Sequence, residues 1–191
     1  EKGNIIVESS QGTFLSLAVS KDYPNCTSDN VTAMAAADDV LLSWKHIKDV
    51  MLVVKTLPTR EGSGSFGNSK EILETEMKDY LVEASSIGGV TRRKASGIDF
   101  DLLKYSVKLN GATQIALTFC DHYDRNIINK TSVNDITPEI YTLIDKIEKE
   151  TDVPVTILNT GKPYWAIIDR TSDINLQLPE VEDRLLMYKE N

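Results

Sequence analysis

The sequence has no apolar run that approaches the roughly 20 residues of a membrane-spanning helix, so we expect no membrane partner. Cysteine is scarce as well: Cys26 and Cys120 do not make a disulfide framework, and we expect free thiols in a reducing compartment, the cytoplasm. Positive charge is also in deficit. The 21 lysines and arginines against 29 aspartates and glutamates give a formal net charge of -8, which argues against non-specific binding to nucleic acid. What remains is a soluble globular protein, whose acidic surface can still carry a local basic pocket for an anionic ligand.

The residues that are present suffice for one globular domain. The chain has 191 residues, 41% of them hydrophobic, and a chain of this size buries a core without metal or disulfide cross-links. We assign residues 1–170 to this domain and residues 171–191 to a surface tail with a short helix near residues 181–188.

Hydrophobic periodicity predicts an α/β fold with a mainly parallel sheet flanked by helices. Stretch 102–121 is the centre of this prediction: a helix up to Asn110-Gly111, a tight turn, and a buried strand leading to Thr118 and Asp121. The other predicted strands are 4–8, 50–55 and 153–158. The other predicted helices are 33–37, capped from residues 28–30, then 70–83, and a helix that begins at Thr137-Pro138 and ends near residue 150.

Parallel strands would bring several polar groups to one edge of the sheet, where α/β proteins bind ligands. These groups are Gln11, the loop at 58–60, Thr118 with Asp121, and the turn 159–161, with Arg92, Arg93 and Lys94 reaching across the same edge. Arginine side chains and backbone donors suit carboxylates and phosphates, and an aspartate at a strand end suits the amino and imino edge of a guanine-like base. The sequence therefore predicts a site for a nucleotide and an anionic partner.

Six short segments, in order and together, resemble the successive signatures of the adenylosuccinate synthetase family. They are Glu8-Ser9-Ser10-Gln11-Gly12-Thr13; Tyr23-Pro24 with Thr27-Ser28-Asp29-Asn30; Leu57-Pro58-Thr59-Arg60-Glu61-Gly62; Gly89-Val90-Thr91-Arg92-Arg93; Leu109-Asn110-Gly111 with residues 114–121; and Thr151-Asp152-Val153-Pro154-Val155 with Asn159-Thr160-Gly161. The resemblance covers roughly residues 4–163. The sequence of residues 114–119 resembles that of the shorter archaeal and phage branch of the family.

The resemblance implies part of a P-loop-like fold and a ligase that joins L-aspartate to inosine monophosphate (IMP) with hydrolysis of GTP, working as a homodimer. It implies that Gln11 and Thr27 hold the purine nucleoside monophosphate and that Thr91, Arg92 and Arg93 bind the aspartate carboxylates. It further implies that Thr118, Asp121 and Gly161 face the base of the nucleoside triphosphate.

The chain departs from the family pattern in two respects. The glycine-rich phosphate loop, with its catalytic acid, lysine and magnesium ligands, has no counterpart here, and neither has the catalytic histidine. We therefore expect this chain to supply the carboxyl-terminal part of the enzyme, to be inactive alone, and to rely on the amino-terminal part for Mg²⁺. Phe119 stands where the family often has a lysine against the guanine, which leaves ATP open in place of GTP.

Other interpretations of the same residues stay open. One alternative function is the phage-type ligase that joins aspartate to dGMP with ATP, and another is a non-catalytic nucleotide-binding or scaffold module. Gln11 and Asp121 would then be turn residues, Thr27 a helix cap, and the arginines a solvated basic patch. We expect no metal at Asp121, His122 and Asp124, because such close neighbours in sequence rarely converge on one ion.

Overall fold

A four-stranded sheet forms the centre of the molecule. The computed structural model describes residues 5–85 and 89–174 of the chain. The strands of this sheet are β1 (Met51–Lys55), β4 (Gln114–Thr118), β5 (Val155–Asn159) and β6 (Ile167–Asp169), in the order β1-β4-β5-β6. The first three are parallel and β6 is antiparallel to β5. The mainly parallel sheet is thus confirmed, with an antiparallel edge strand that the sequence did not predict.

A second, two-stranded antiparallel ribbon pairs β2 (Thr59–Arg60) with β3 (Arg93–Lys94). The helices are α1 (Ala33–Asp39), α2 (Phe100–Asn110), α3 (Cys120–Tyr123), α4 (Pro138–Thr151) and α5 (Thr171–Ile174). In the part of the chain that the structure describes, none of the helices has the length and hydrophobicity needed to cross a membrane.

Local chemistry explains the two long helices. The Asp99 carboxylate accepts hydrogen bonds from the backbone N–H groups of Asp101 and Leu102 at the start of α2, which ends at Gly111 in the left-handed conformation (φ 60°). The Thr137 hydroxyl caps α4, and Pro138 occupies its first turn. These ends agree with the predicted ones. The cap of α1 is Thr32, rather than residues 28–30.

The core lies between α2, α4 and one face of the sheet. Its members include aliphatic side chains from both layers: Leu103, Val107, Ile115, Leu117, Ile140, Leu143, Ile144, Ile147, Val155 and Leu158. The opposite face is less covered at β1, where Met51 is 44% and Val53 67% exposed. The predicted strand at 50–55 is present, but its side chains on that face are exposed.

Residues 5–8 do not form the predicted first strand. Ile5 and Ile6 are 79% and 91% exposed, and no described strand pairs with them. A β-branched run becomes a strand only when a neighbour completes its hydrogen-bond ladder, so the composition alone was misleading.

The predicted helix at 70–83 is also absent. Glu71 pairs with Ala95 and Ala84 pairs with Thr91 in isolated β-bridges, and only two short 3₁₀ turns, Glu74–Glu76 and Asp79–Leu81, lie between them. Both ends of the segment are thus held extended against residues 91–95, which overrides the helical periodicity. The predicted helix at 181–188 lies outside the described residues.

Candidate functional site at the strand ends

The carboxyl ends of three parallel strands lie next to one another at one edge of the sheet. After β1, the Thr56 N–H donates to the Thr118 carbonyl (3.0 Å) and the Thr56 hydroxyl donates to the Phe119 carbonyl (2.7 Å). At the end of β5, the Asn159 side-chain oxygen accepts the Phe119 N–H (3.4 Å). The carboxyl ends of β1, β4 and β5 are therefore joined by hydrogen bonds, as the predicted sheet edge required.

Phe119 is the strained residue of this edge. Its backbone is left-handed (φ 58°, ψ 36°) between β4 and α3, a conformation that bulky residues rarely adopt. Its ring lies 4.6 Å from the Lys55 ammonium, 5.7 Å from the Lys94 ammonium and 4.8 Å from the His122 ring centroid. The aromatic ring thus faces two cations at the strand end.

A group of three cations surrounds one carboxylate at this edge. Lys55 Nζ lies 2.6 Å from Glu83 Oε1, Lys94 Nζ lies 3.6 Å from Glu83 Oε2, and Arg92 Nε lies 3.7 Å from Glu83 Oε1. We call Lys55, Arg92 and Lys94 the strand-end cations. The Lys94 side chain is 1% exposed and the Glu83 side chain 20%, so these charges are largely shielded from solvent.

Burial and charge determine the protonation states of this group. Burial pushes the pKa of Glu83 upward, but the hydrogen bond from Lys55 and the nearby cations outweigh it, and the pKa lies below its ordinary value. Burial lowers the pKa of Lys94, which Glu83 partly offsets. Burial and the charge of Lys94 lower the pKa of His122, whose Nδ1 lies 3.2 Å from Lys94 Nζ. A neutral His122 therefore accepts a hydrogen bond from the lysine.

The three residues predicted to bind aspartate point to different partners. Arg92 Nη2 lies 2.9 Å from Glu61 Oε1 and belongs to the strand-end cations. Arg93 forms a two-pronged ion pair with Glu71 and also donates to the carbonyls of Gly62 (2.8 Å) and Gly64 (3.0 Å). The hydrogen bond to Glu71 raises the pKa of Arg93. Thr91 is exposed and belongs to the β-bridge with Ala84.

Thr118 and Asp121 lie on either side of Phe119, while Gly161 is linked to them through Asn159. The Thr118 hydroxyl donates to the Val54 carbonyl (3.2 Å), and Asp121 is buried with Oδ2 at 3.7 Å from Arg125 Nη1.

Gly161 accepts a hydrogen bond from the Asn159 side chain (2.8 Å). A Cβ at position 161 would fall 2.4 Å from Asn129 Oδ1, so a larger residue would require the Asn129 side chain to move.

Gln11 and Thr27 meet in a separate cavity of about 260 Å³, which we call the hydroxyl pocket. Its lining is mainly hydroxyl, amide and carboxylate groups: Ser9, Ser10, Gln11, Thr27, Ser28, Asp29, Asn30, Val31 and Asp39. The backbone of Gln11 is left-handed (φ 69°). The structure thus brings the two residues together.

The hydroxyl pocket does not lie on a strand end, contrary to the prediction for Gln11. Because residues 5–8 are not a strand, a loop presents Gln11, and the described lining contains none of the strand-end cations. Arg60 joins the loop at residues 22–25 to the ribbon that contains Arg93: its Nη1 lies 2.7 Å from Asp22 Oδ2 and its Nη2 donates to the Asn25 carbonyl (3.3 Å). The hydrogen bond from Arg60 holds the pKa of Asp22 below its usual range.

Sequence reasoning missed Lys55, Glu83 and His122 as members of the site. A usable signal existed for Lys55, which is the last residue of its strand and the register partner of Thr118. Glu83 gave no such signal, because the expected helix assigned residues 70–83 to a different conformation. Within the described residues, no three histidine, cysteine, aspartate or glutamate side chains are placed to share a metal ion.

The fold and this edge define an α/β protein that gathers polar and charged side chains at the ends of its parallel strands. The family model of adenylosuccinate synthetase matches residues 1–126, and the chain belongs to the adenylosuccinate synthetase family. It is 39% identical over 171 residues to the adenylosuccinate synthetase of Methanocaldococcus jannaschii, covering 90% of this chain and 49% of that protein. It is 40% identical over 166 residues to that of Methanococcus aeolicus, covering 87% and 48%.

Solved structures agree at the level of the fold. Fully ligated adenylosuccinate synthetase from Plasmodium falciparum superposes with a TM-score of 0.71 at 17% identity, covering 85% of this chain and 49% of that one. The succinoaminodeoxyadenylate synthetase of cyanophage S-2L, bound to dGMP and dATP as an energy donor, gives 0.67 at 20% identity, covering 94% and 49%. The chain spans about half the length of the curated relatives that it matches. The match to the family model and the identity with the curated relatives confirm the expected family.

Proposed function

We propose that this chain is the carboxyl-terminal, substrate-binding part of an adenylosuccinate synthetase, a ligase that joins L-aspartate to IMP with hydrolysis of GTP. The observation that carries the proposal is the junction of three strand ends, where Thr118, Asp121 and the Asn159–Gly161 turn meet beside the strand-end cations. Membership in the family supports the same reaction.

Each region has a role in this proposal. The hydroxyl pocket, with Gln11 and Thr27, holds the purine nucleoside monophosphate, because its hydroxyl and amide groups hydrogen-bond ribose and base. Thr91, Arg92 and Arg93 bind the aspartate carboxylates. Thr118, Asp121 and Gly161 face the base of the nucleoside triphosphate.

The proposed chemistry activates the six-oxygen of IMP by phosphoryl transfer from GTP, after which the aspartate amine attacks carbon six and phosphate leaves. This chain contributes position and charge: arginines orient the aspartate, and cations at the strand end offset the negative charge of the anionic ligands. Mg²⁺ would neutralise the transferred phosphoryl group. No group of described residues is placed to hold a metal ion, and we propose that the Mg²⁺ ligands lie in an amino-terminal part of the enzyme.

Titration calorimetry on the 191-residue chain tests the proposal. We expect heat of binding from IMP, and circular dichroism on the same sample establishes that the chain is folded. A folded chain that gives no heat with IMP, GTP, ATP or dGMP would instead identify a non-catalytic scaffold module.

The second candidate is the phage-type ligase that uses dGMP and ATP. Phe119 favours it, because the position next to Thr118 then lacks the lysine expected against a guanine base. Tighter binding of dGMP than of IMP, together with preference for ATP over GTP, would select this alternative.

We propose the cytoplasm as location and a homodimer as the assembly of the complete enzyme. We also propose that residues 1–170 belong to the ligase domain and that residues 171–191 form a surface tail. Sedimentation of the complete enzyme at micromolar concentration tests the dimer, and a truncation after residue 170 that keeps IMP binding supports the domain boundary.

A further inference from the structure

We propose that Thr56 is a positioning residue for the nucleoside triphosphate: its hydroxyl group holds Phe119 in the left-handed conformation that directs the start of α3, with Asp121, toward the base. The predicted site residues do not include Thr56, and it acts through Phe119. The inference rests on the proposed function for the identity of the ligand, because there Asp121 faces the base of the triphosphate.

Thr56 uses both of its donors on the neighbouring segment. It lies directly after β1 and is completely buried. Its backbone N–H donates to the Thr118 carbonyl (3.0 Å), and its hydroxyl donates to the next carbonyl along the chain, that of Phe119 (2.7 Å). Because a buried hydroxyl is unfavourable without a partner, the second bond fixes the direction in which the Phe119 carbonyl points.

The backbone of Phe119 needs such a restraint. A bulky residue rarely adopts φ 58° and ψ 36°, and this conformation persists only where the surrounding structure holds it. The Asn159 side-chain oxygen accepts the Phe119 N–H at 3.4 Å, which is a long hydrogen bond. The bond from Thr56 is the shorter of the two, so it contributes more to the restraint.

The restrained carbonyl belongs to the first turn of α3. This helix begins at Cys120, and the Phe119 carbonyl also accepts the His122 N–H (3.0 Å). Asp121 lies in the same turn and is buried. If Phe119 left the left-handed conformation, the chain would leave β4 in another direction and would carry Asp121 away from the strand end. Binding of the triphosphate would then be limited to the fraction of molecules in which Phe119 keeps its conformation.

Calorimetric titrations of the full 191-residue chain with GTP and with ATP test the role of Thr56. Thr56→Val removes the hydroxyl and keeps the shape of the side chain. Thr156→Val is the matched control, because Thr156 is also completely buried and its hydroxyl donates to the Gln114 side chain (2.6 Å) at the other end of the sheet. Both variants should lower the midpoint of urea unfolding, since each loses one buried hydrogen bond.

Only Thr56→Val should weaken the triphosphate that wild type binds more tightly, by about ten-fold, while its affinity for IMP stays within about two-fold. Thr56→Ser keeps the hydroxyl and should bind the triphosphate within about two-fold of wild type. In a Phe119→Asn background, Thr56→Val should cost less than about two-fold, because asparagine adopts the left-handed conformation more readily. The comparison within that background cancels the loss of the phenylalanine ring.

Hydrogen exchange of the His122 backbone amide, measured by NMR, adds a readout that needs no ligand. The exchange should be faster in Thr56→Val than in wild type and unchanged in Thr156→Val, because only the first variant releases the carbonyl to which His122 donates. If Thr56→Val does not fold, Thr56→Ala takes its place in every comparison.

Three results would each overturn the inference: equal triphosphate affinities in wild type and Thr56→Val, equal losses in Thr56→Val and Thr156→Val, or unchanged exchange at His122 in Thr56→Val. The exchange measurement also separates this inference from the proposed function. If wild type binds neither GTP nor ATP, faster exchange in Thr56→Val supports the restraint by Thr56 and refutes only the proposed base site.

Discussion

The strand-end cations and the hydroxyl pocket differ in how their polar atoms are satisfied. At the strand end, each cation already faces a carboxylate of the same chain, mainly Glu83. The hydroxyl pocket presents hydroxyl and amide groups around an open cavity, and the Thr27 hydroxyl hydrogen-bonds with the backbone of Asp29, two residues away. A ligand must therefore displace an internal ion pair in the first region and can enter the second without doing so.

This difference predicts that substitutions in the two regions have separable effects. Removing a charge at the strand end should change stability and carboxylate binding together, because the same ion pairs serve both. Removing a side chain from the hydroxyl pocket should change nucleotide binding with little change in stability.

Arg93→Ala in the complete enzyme should raise the KM for aspartate about 50-fold, since charge-assisted hydrogen bonds to a carboxylate contribute about 2 to 3 kcal/mol. The KM for IMP should change less than two-fold. Steady-state kinetics with each substrate varied in turn measures both values. Lys104→Ala, which removes a cation of α2 that pairs with Asp101 and Glu150, is the control. An unchanged aspartate KM would remove Arg93 from the aspartate site.

Glu83→Gln should lower the free energy of unfolding of the isolated chain by about 2 kcal/mol, because it leaves the buried Lys94 without its carboxylate. Urea denaturation followed by circular dichroism measures the change. Glu74→Gln, in the same segment and exposed, should stay within about 0.5 kcal/mol of wild type. Equal losses in the two variants would contradict the assignment of a buried charge group.

The contrast between α4 and residues 70–83 shows what the sequence can predict. Both stretches are acidic and amphipathic, but α4 has a threonine cap, a first-turn proline and four buried aliphatic residues to place against the sheet. Residues 70–83 have helical spacing without such end signals, and only Leu81 is buried within their 3₁₀ turns. Their conformation follows from long-range pairing with residues 91–95, which a local pattern does not contain.

The same distinction applies to the site. Thr118 and Asp121 were predictable, because they follow an apolar strand and every parallel strand points to the same edge. Gln11 does not lie at the predicted strand end. Its position depends on Thr13 and Ala33, which hydrogen-bond with Asn110 at the end of α2. Contacts over that sequence distance were not visible in the periodicity, although the family signatures did group Gln11 with Thr27.

His122 should make the chain less stable as the pH falls from 7 to 5.5. Burial and Lys94 lower its pKa in the folded chain, so below the ordinary value near 6.5 the unfolded chain binds a proton that the folded chain does not. The free energy of unfolding therefore decreases as the pH falls. The decrease ends only below the pKa of His122 in the folded chain. His122→Gln, whose amide oxygen can still accept from Lys94, should reduce this slope, with an effect smaller than that of Glu83→Gln. Urea denaturation at the two pH values measures it.

The exposed His46 provides the control for this pH prediction. His46→Gln should leave the difference between pH 7 and pH 5.5 unchanged. If His122→Gln keeps the full wild-type slope, the hydrogen bond from Lys94 to a neutral His122 is not present in solution.

Gln11→Gly should have the smallest effect on stability and a clear effect on binding. The left-handed backbone at Gln11 suits glycine, and the relief of that strain offsets the greater freedom of glycine in the unfolded chain, so the free energy of unfolding should stay within about 0.5 kcal/mol. Loss of the side-chain amide should weaken IMP binding about five-fold, the value of one neutral hydrogen bond. Gln11→Ala should lose the same affinity and also some stability, since alanine keeps the strain. If both variants bind IMP as wild type does, the hydroxyl pocket does not hold the nucleotide through Gln11. The difference between the hydroxyl pocket and the strand-end cations in nucleotide binding would then depend on Thr27 alone.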